Sequence, residues 1–352
     1  MKRVFIYIFL AAMAFSSCEK TEDISSPAIP QGYIMFSAGV DTKAALGQNM
    51  KECVPFGVMG YNYSKTTDWS TARVLETPDV FYNMNVDYYN GIYTYDDADT
   101  DLKSWNDVEK CSFFAYYPMA SVSNNISISA QNALDVPTVT YTFPFPATTS
   151  DILSVPGHTK IHDLMTAAAT DITSVGSGYV SLNFEHRLFC LEIVVRNYNG
   201  TPVTIRNMDL KLEGLKYTTA VIPLQKGDLK KSVTYSGTAP SETTFRITDS
   251  NEDITVPGYT DSQNFSFSIS EKGSDKGGYI MLIPQEAGEV TGTVTWEGIN
   301  DFDNVSNTFT SDFDYEEGKR YVIVINIAGE SITIAIIEEE SWNAKDVNIE
   351  FN

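Results

Sequence analysis

Two-residue alternation of apolar and polar side chains recurs along this chain and leaves little room for helices. It appears in "YIMFSAGV" (33–40), "YVSLNFEHRLFCLEIVV" (179–195), "FSFSIS" (265–270), "GTVTWEG" (292–298) and "YVIVINIAGESITIAII" (321–337). Successive side chains of a strand point to opposite faces, so this period describes strands with at least one face in a core. The runs are bounded by turn-forming clusters such as "NYNGTP" (197–202), "EKGSDKGG" (271–278) and "YEEGKR" (315–320). "YVIVINI" and "SITIAII" read as a hairpin about Gly329. Only "IHDLMTAAATD" (161–171) offers a helical pattern, and no short repeat is present. Many short strands with long polar connections predict an all-β protein built of sandwiches.

The leader constrains where such a fold works. Lys2 and Arg3 precede an unbroken apolar run, Val4 to Phe15, of signal-peptide length and too short to span a bilayer. Ser16 and Ser17 then abut Cys18 in "AFSSCEK". Small residues before a cysteine resemble a bacterial lipobox, with Phe15 where leucine is usual, so Cys18 is the expected lipidation site. The cysteine thiolate is the nucleophile suited to receive a diacylglyceryl group. Each buried methylene contributes about 0.8 kcal/mol, so two or three acyl chains anchor a protein stably. The polar stretch 18–31, with Pro27 and Pro30, reads as a flexible tether.

The 352 residues exceed what one core usually serves, so two domains are expected. "ITSVGSG" (172–178) is the natural break. The expected division is a signal peptide at 1–17, a lipidated tether at 18–31, an N-terminal sandwich at 32–175 and a C-terminal sandwich at 176–352. The chain carries 24 basic and 46 acidic residues, a formal charge of −22. Loss of Lys2 and Arg3 with the leader makes the remainder more acidic still. Such a charge repels phosphate backbones and argues against nucleic-acid binding.

Candidate chemistry is sparse. After Cys18 only Cys53, Cys111 and Cys190 remain, an odd number that completes no disulfide framework. Cys190, in "RLFCLEIVV", reads as a small buried hydrophobe, and pairing of Cys53 with Cys111 across neighbouring strands stays open. His158 and His162 have the i, i+4 spacing of zinc ligands but lack an HExxH pattern, so they read as loop histidines. His186 alternates with core residues and reads as a structural histidine. Asp97, Asp99 and Asp101 have the 1, 3, 5 spacing of a calcium loop, yet Leu102 and Val108 stand where such a loop needs Gly and Glu. "EEE" (338–340) reads as a solvated run. No nucleophile–base pair or phosphate-binding motif stands in a supporting context. The expectation is a protein that is not an enzyme, with no metal and no cofactor.

The most distinctive words are "CSFFAYYP" (111–118), "VSLNFEHRLFCLEIVV" (180–195), "YIMLIPQ" (279–285), "GKRYVIVINI" (318–327) and "SWNAKDVNIEF" (341–351). In this order, after a lipoprotein signal, they resemble the fimbrillin (FimA/Mfa-like) family of Bacteroidetes, the subunits of type V pili. The resemblance covers nearly the whole mature chain and implies two tandem transthyretin-like β-sandwich domains in a lipoprotein precursor. It also implies a structural role at the outer membrane and cell surface, supporting adhesion. The implied partners are other pilus subunits joined by β-strand exchange, the outer membrane through the lipid, and a host or bacterial surface ligand. In stalk subunits of the family, cleavage after a basic residue near the end of the first strand opens a groove. A C-terminal strand of another subunit is thought to fill it, pairing backbone with backbone and side chains with pockets.

Carried onto this sequence, the exchangeable first strand lies in "GYIMFSAGVDTKAAL" (32–46), where alternation puts Ile34, Phe36 and Ala38 on the groove-filling face. No arginine occurs between Cys18 and Arg73. Lys43, followed by Ala44, is the basic residue placed for maturation, and an arginine-specific protease would leave the chain intact. That favours an anchor, tip or accessory role over the stalk. "SITIAIIEEESWNAKDVNIEFN" (331–352) is the candidate partner strand, with Trp342, Val347, Ile349 and Phe351, or else a native final strand. The alternative function is a surface glycan- or ligand-binding sandwich in which Tyr88, Tyr89, Tyr93, Tyr95 and Trp105 stack on sugars. The competing reading of these aromatics is that they line a hairpin and cover the core.

Overall fold

The structure is a computed structural model. It describes residues 32–40, 50, 53–95, 102–107, 109–148, 152–154, 163–174, 179–225, 232–248, 253–259, 266–268, 279–286, 288–299, 305–312, 314–329 and 331–339. The expected signal peptide and tether lie outside the described residues, as do Cys18, Lys43, Ala44, His158, His162, Asp97, Asp99 and Asp101. So do Trp342, Val347, Ile349 and Phe351.

The elements run β1 (Phe36–Val40), β2 (Phe56–Ser64), the one-turn α1 (Trp69–Ala72), β3 (Phe81–Tyr89), β4 (Ile92–Thr94) and β5 (Glu109–Tyr117). A 3-10 turn (Ala120–Val122) leads to β6 (Ile126–Ile128), β7 (Thr138–Thr142), β8 (Ile152–Ser154), β9 (Met165–Ile172), β10 (Val180–His186) and β11 (Phe189–Asn197). Next come β12 (Val203–Glu213), β13 (Thr219–Pro223), β14 (Thr234–Ser236), β15 (Glu242–Arg246), β16 (Ile254–Val256) and β17 (Ser266–Ser268). The described chain ends with β18 (Ile280–Leu282), β19 (Val290–Ile299), β20 (Val305–Ser311), β21 (Arg320–Ala328) and β22 (Ser331–Glu339). The fold is all-β.

Seven strands close a barrel in the order β1-β10-β9-β5-β2-β3-β4. The rest form three sheets: β17-β11-β21-β22 with β18 on β11, β20-β19-β12-β15-β8 with β16 on β12, and β14-β13-β7-β6. The barrel interior holds Phe56, Val58, Phe113, Ala115, Leu182 and Phe184. The opposite faces of β2 and β5 carry Met59, Tyr61, Phe114 and Tyr116, which join the large core shared with the other sheets. Both faces of these two strands are therefore covered, and their buried runs are continuous rather than alternating. β11 and β21 are likewise buried nearly end to end.

Two expectations need correction. The described residues of the 161–171 segment hold no helix: β9 spans Met165–Ile172 and pairs with β5 and β10. Alanine-rich "TAAAT" has helical propensity, but pairing on both edges and burial of Met165 and Ala167 override it. The single long strand expected over 179–195 is two strands in different sheets. The switch falls at Arg187, which is 2% exposed. Its Nε donates to Thr166 Oγ1 at 2.6 Å, and its guanidinium meets Glu185 at 2.7 Å, Glu317 at 3.3 Å and the Gln225 carbonyl at 3.2 Å. A guanidinium so engaged is a fixed corner where the chain leaves the barrel. Strand pairing also crosses the expected 175/176 boundary. β10 belongs to the barrel, while β7 pairs with β13 and β8 with β15. Segments from before the expected boundary thus complete sheets built after it.

The expected hairpin at Gly329 is present. β21 and β22 pair from Arg320↔Glu339 to Ala328↔Ser331, and Gly329 has φ +60°. A two-residue turn between twisted strands asks for that left-handed backbone. Asn90 (φ +51°) and Gly91 (φ +90°) do the same between β3 and β4.

Candidate functional site

The seat of β1 is the candidate site, because β1 is the strand that closes the barrel. On one side it lies parallel to β10, from Phe36↔Val180 to Val40↔Phe184. On the other it meets β4 only at Phe36↔Tyr93. The chain just before β1 is held by a different segment: Ile34 N–H donates to the Lys103 carbonyl at 2.8 Å, and Trp105 N–H to the Gly32 carbonyl at 3.0 Å. Val180 N–H donates to the Met35 carbonyl at 2.8 Å. The Tyr95 hydroxyl ties these together, donating to the Ile34 carbonyl at 2.8 Å and accepting from Lys103 N–H at 3.0 Å.

Side chains follow the face that alternation predicts. Ile34 and Phe36 are 2% and 1% exposed inside the barrel core, and Ala38 packs against that core. The Phe36 ring sits 5.4 Å from Phe113 edge-on, 6.0 Å from Phe81 and 6.1 Å from Tyr95. Burying a side chain of this size contributes about 1.5–3 kcal/mol. Met35, on the other face, is also buried. Alternation puts it on the face opposite Ile34 and Phe36, and the sequence carries no sign that this face is covered as well.

The proposed sugar-stacking aromatics are mostly wall. Tyr93 and Tyr95 are buried, Tyr88 packs against Tyr93 in a tilted pair at 4.9 Å, and Trp105 meets Phe113 edge-on at 6.1 Å. Burial, with smaller contributions from Tyr88 and Cys53, pushes the Tyr93 phenol up to about 12. Only Tyr89 of this set stands in solvent. They line a hairpin and cover the core, as the competing reading had it. The clamp role of Tyr95 was not foreseen; its two-residue spacing from Tyr93, which puts both on the inner face, was the available signal.

Elsewhere the chemistry is structural. Cys53, Cys111 and Cys190 are buried, and Cys53 and Cys111 are not bridged to each other. Burial chiefly, then Asp79 and Glu109, pushes the Cys111 thiol up to about 12. His186 Nδ1 lies 2.9 Å from Asp163 Oδ1 in a buried pair between β10 and the start of β9. Among the described residues no group of three His, Cys, Asp or Glu side chains is placed to hold a metal. No helix among them is long and apolar enough to cross a membrane. Of the candidate C-terminal partner region, the described part is β22, paired with β21 inside a sheet.

A family model described as fimbrillin-like matches residues 42–342. Among solved structures, the chain is similar to a fimbrial protein from Bacteroides vulgatus ATCC 8482, at 20% identity and a TM-score of 0.58, over 88% of this chain and 99% of that one. It is also similar to a candidate cell adhesion protein from Bacteroides ovatus ATCC 8483, at 17% identity and a TM-score of 0.54, over 90% of this chain and 100% of that one. At these identities the likeness is one of fold. No curated protein matches the chain.

Proposed function

The chain belongs to the fimbrillin-like family, and on that premise we propose that it is a non-catalytic component of a type V pilus, or a pilus-associated surface lipoprotein, that assembles by β-strand exchange. Family membership supports a pilus-type adhesion component at the cell surface, working with other pilus subunits. The finer reading is a precursor of two transthyretin-like sandwich domains, lipidated at Cys18 and held at the outer membrane. Its first strand, with Ile34, Phe36 and Ala38, fills a groove that another subunit's strand can occupy once this one leaves. The C-terminal residues Trp342, Val347, Ile349 and Phe351 are the matching donor candidates.

One observation carries the proposal. β1 alone joins β4 to β10, so withdrawing it turns a closed barrel into an open sheet with two unpaired edges. Between those edges lies an aromatic trough formed by Phe81, Tyr95 and Phe113. Unpaired edges beside exposed aromatics invite a new strand, whether productively or as aggregation. The absence of arginine between Cys18 and Arg73 favours retention of the strand, hence an anchor or accessory subunit, with Lys43–Ala44 as the alternative maturation point.

The test is intact mass and N-terminal sequence of the protein recovered from its native cell surface. A lipidated Cys18 start with residues 33–40 retained supports the anchor or accessory role. A start at Ala44 assigns maturation to Lys43 and makes the chain a strand-exchanging stalk or tip subunit. A start beyond β2 would overturn the proposal, because the barrel itself would then be cut.

A further inference from the structure

A cavity of about 370 Å³ opens on the sheet of β12, β15, β19 and β20, lined by Asn207, Asp209, Arg246, Thr295, Glu297 and Ser306, with Trp296 and Val305. It is remote in sequence and in fold from the seat of β1. Its volume falls within the range of small-molecule sites, roughly 300–1,000 Å³.

A bulge in β12 makes it. The ladder to β19 shifts between Arg206 and Asp209, and Asn207 takes a left-handed backbone with φ +48°. Ile205 and Met208 remain in the core on either side. The extra residue therefore puts Arg206 and Asn207 consecutively on the outer face, where a regular strand would alternate. Bulges of this kind re-aim side chains, and here they aim polar ones at a hollow.

The lining has the chemistry of hydroxyl recognition. Arg246 binds Asp209 through two parallel contacts, Nε to Oδ1 and NH2 to Oδ2, the latter at 3.1 Å. Asn207 Nδ2 donates to Glu297 Oε2 at 2.9 Å. These planar groups are thus fixed by one another, and each carboxylate keeps lone pairs to offer. Asn207 Oδ1 and Trp296 Nε1 are buried with no hydrogen-bond partner among the described residues. The Thr295 and Ser306 side chains, opposite each other across β19 and β20, make no hydrogen bond to a described residue. The hydroxyls of Thr295 and Ser306 both donate and accept, and the carboxylates of Asp209 and Glu297 accept, which fits a ligand whose groups do both, the property of a hydroxyl.

Charge narrows the class. Two cations, Arg246 paired with Asp209 and Arg206 paired with Asp253, stand with three anions, Asp209, Asp253 and Glu297, on a chain of −22. Phosphate, sulfate and acidic sugars are disfavoured. Trp296 is 2% exposed, so it offers no open ring face, and binding rests on hydrogen bonds. We propose that this bulge cavity is a binding site for a neutral saccharide of one or two residues, separate from any subunit-joining strand.

The experiment is saturation-transfer NMR on the leaderless full chain. The probes are methyl glucoside, methyl galactoside, methyl mannoside and N-acetylglucosamine at millimolar concentration, with glucuronic acid as the charged comparison. Thr295→Val and Ser306→Ala each delete one hydroxyl without altering the strands, and circular dichroism checks their folding. The expected result is transfer to at least one neutral probe, weakened about five- to tenfold in either variant, as loss of one net hydrogen bond implies. No transfer to any neutral probe from folded protein overturns the proposal. So does transfer unchanged in both variants, or tighter binding of glucuronic acid. Because the readout ignores polymerisation, its failure leaves the pilus assignment standing.

Discussion

Replacing Phe36 with alanine tests whether β1 is an energetic part of the barrel. The ring is 1% exposed and is walled by Phe113, Phe81 and Tyr95 at centroid distances of 5.4, 6.0 and 6.1 Å. Those rings stand on β5, at the start of β3 and just past β4, so no single strand can shift to fill the void. Phe→Ala in a core costs about 3–5 kcal/mol, the upper part applying where the site cannot collapse. Tilted and edge-on ring pairs add about 0.5–1.5 kcal/mol each beyond area, so about 4 kcal/mol is expected. For a unit of about 150–250 residues, 1 kcal/mol moves Tm by roughly 2–4 °C, and the barrel midpoint should fall by about 8–16 °C. The assay is calorimetry with parallel urea melts on the leaderless chain. Tyr89→Ala is the control; at 67% exposed on β3 it should change stability by no more than about 0.5 kcal/mol. A loss under about 1 kcal/mol for Phe36→Ala would refute the reasoning. It would mean that the trough is not held together by β1, and the strand-exchange proposal would lose its physical basis.

Other consequences are open to direct measurement. Arg187→Met removes the guanidinium that fixes the barrel exit and leaves the Glu185 and Glu317 carboxylates facing an apolar chain. A loss of about 3 kcal/mol in guanidinium melts is expected, and one below about 1 kcal/mol would show the corner to be held by backbone alone. Tyr63, Tyr93, Tyr116, Tyr117 and Tyr315 are each pushed up to about 12, chiefly by burial. Their unfolded phenols titrate near 10, so the stability they confer is complete below about pH 10 and declines as pH rises toward 12. Absorbance of phenolate should therefore rise together with loss of near-ultraviolet circular dichroism; ionisation well before unfolding would refute this. Cys111 and Cys190, buried and with thiols pushed up, should resist a thiol reagent at pH 8 and react once urea unfolds the chain. Rapid native labelling of either would contradict the core placement.

What the sequence could disclose followed from which faces are covered. Ile34, Phe36 and Ala38 were readable because only alternation was needed to sort them to one side of β1. Met35 was not, because its burial depends on a neighbour that local pattern does not encode. β2, β5, β11 and β21 show why continuous apolar runs, "FFAYY" or "YVIVINI", mark central strands buried on both sides. The helix expected at 161–171 failed for the complementary reason. Alanines 167–169 suit a helix in isolation, yet they also let β9 lie close between β5 and β10. The break at Arg187 was hidden because the alternating run before it leads straight into the apolar run "LFCLEIVV" (188–195) after it. Only the convergence of Thr166, Glu185, Gln225 and Glu317 on one guanidinium identifies it. The bulge cavity left no periodic trace, because it arises from a single extra residue in β12.

The connectivity bears on assembly in its own right. β1 is the first described strand, yet its long partner is β10, far along the chain, and the pairing is parallel. A parallel pair between sequence-remote segments gains little from local contacts and must pay loop closure before it pays back. The other six barrel strands are linked by five antiparallel pairings, β10–β9, β9–β5, β5–β2, β2–β3 and β3–β4. They form one continuous sheet without β1. On the strand-exchange proposal, the barrel would persist as a six-stranded trough awaiting a seventh strand, with nothing in the trough dictating which chain supplies it. A strand of alternating apolar residues presented parallel to β10 meets the same backbone groups and the same ring-lined hollow as Phe36 does. That equivalence is what makes β1 replaceable in principle. A synthetic peptide of residues 32–42 added to chain lacking them should restore solubility and raise the melting temperature. A scrambled peptide of the same composition should do neither.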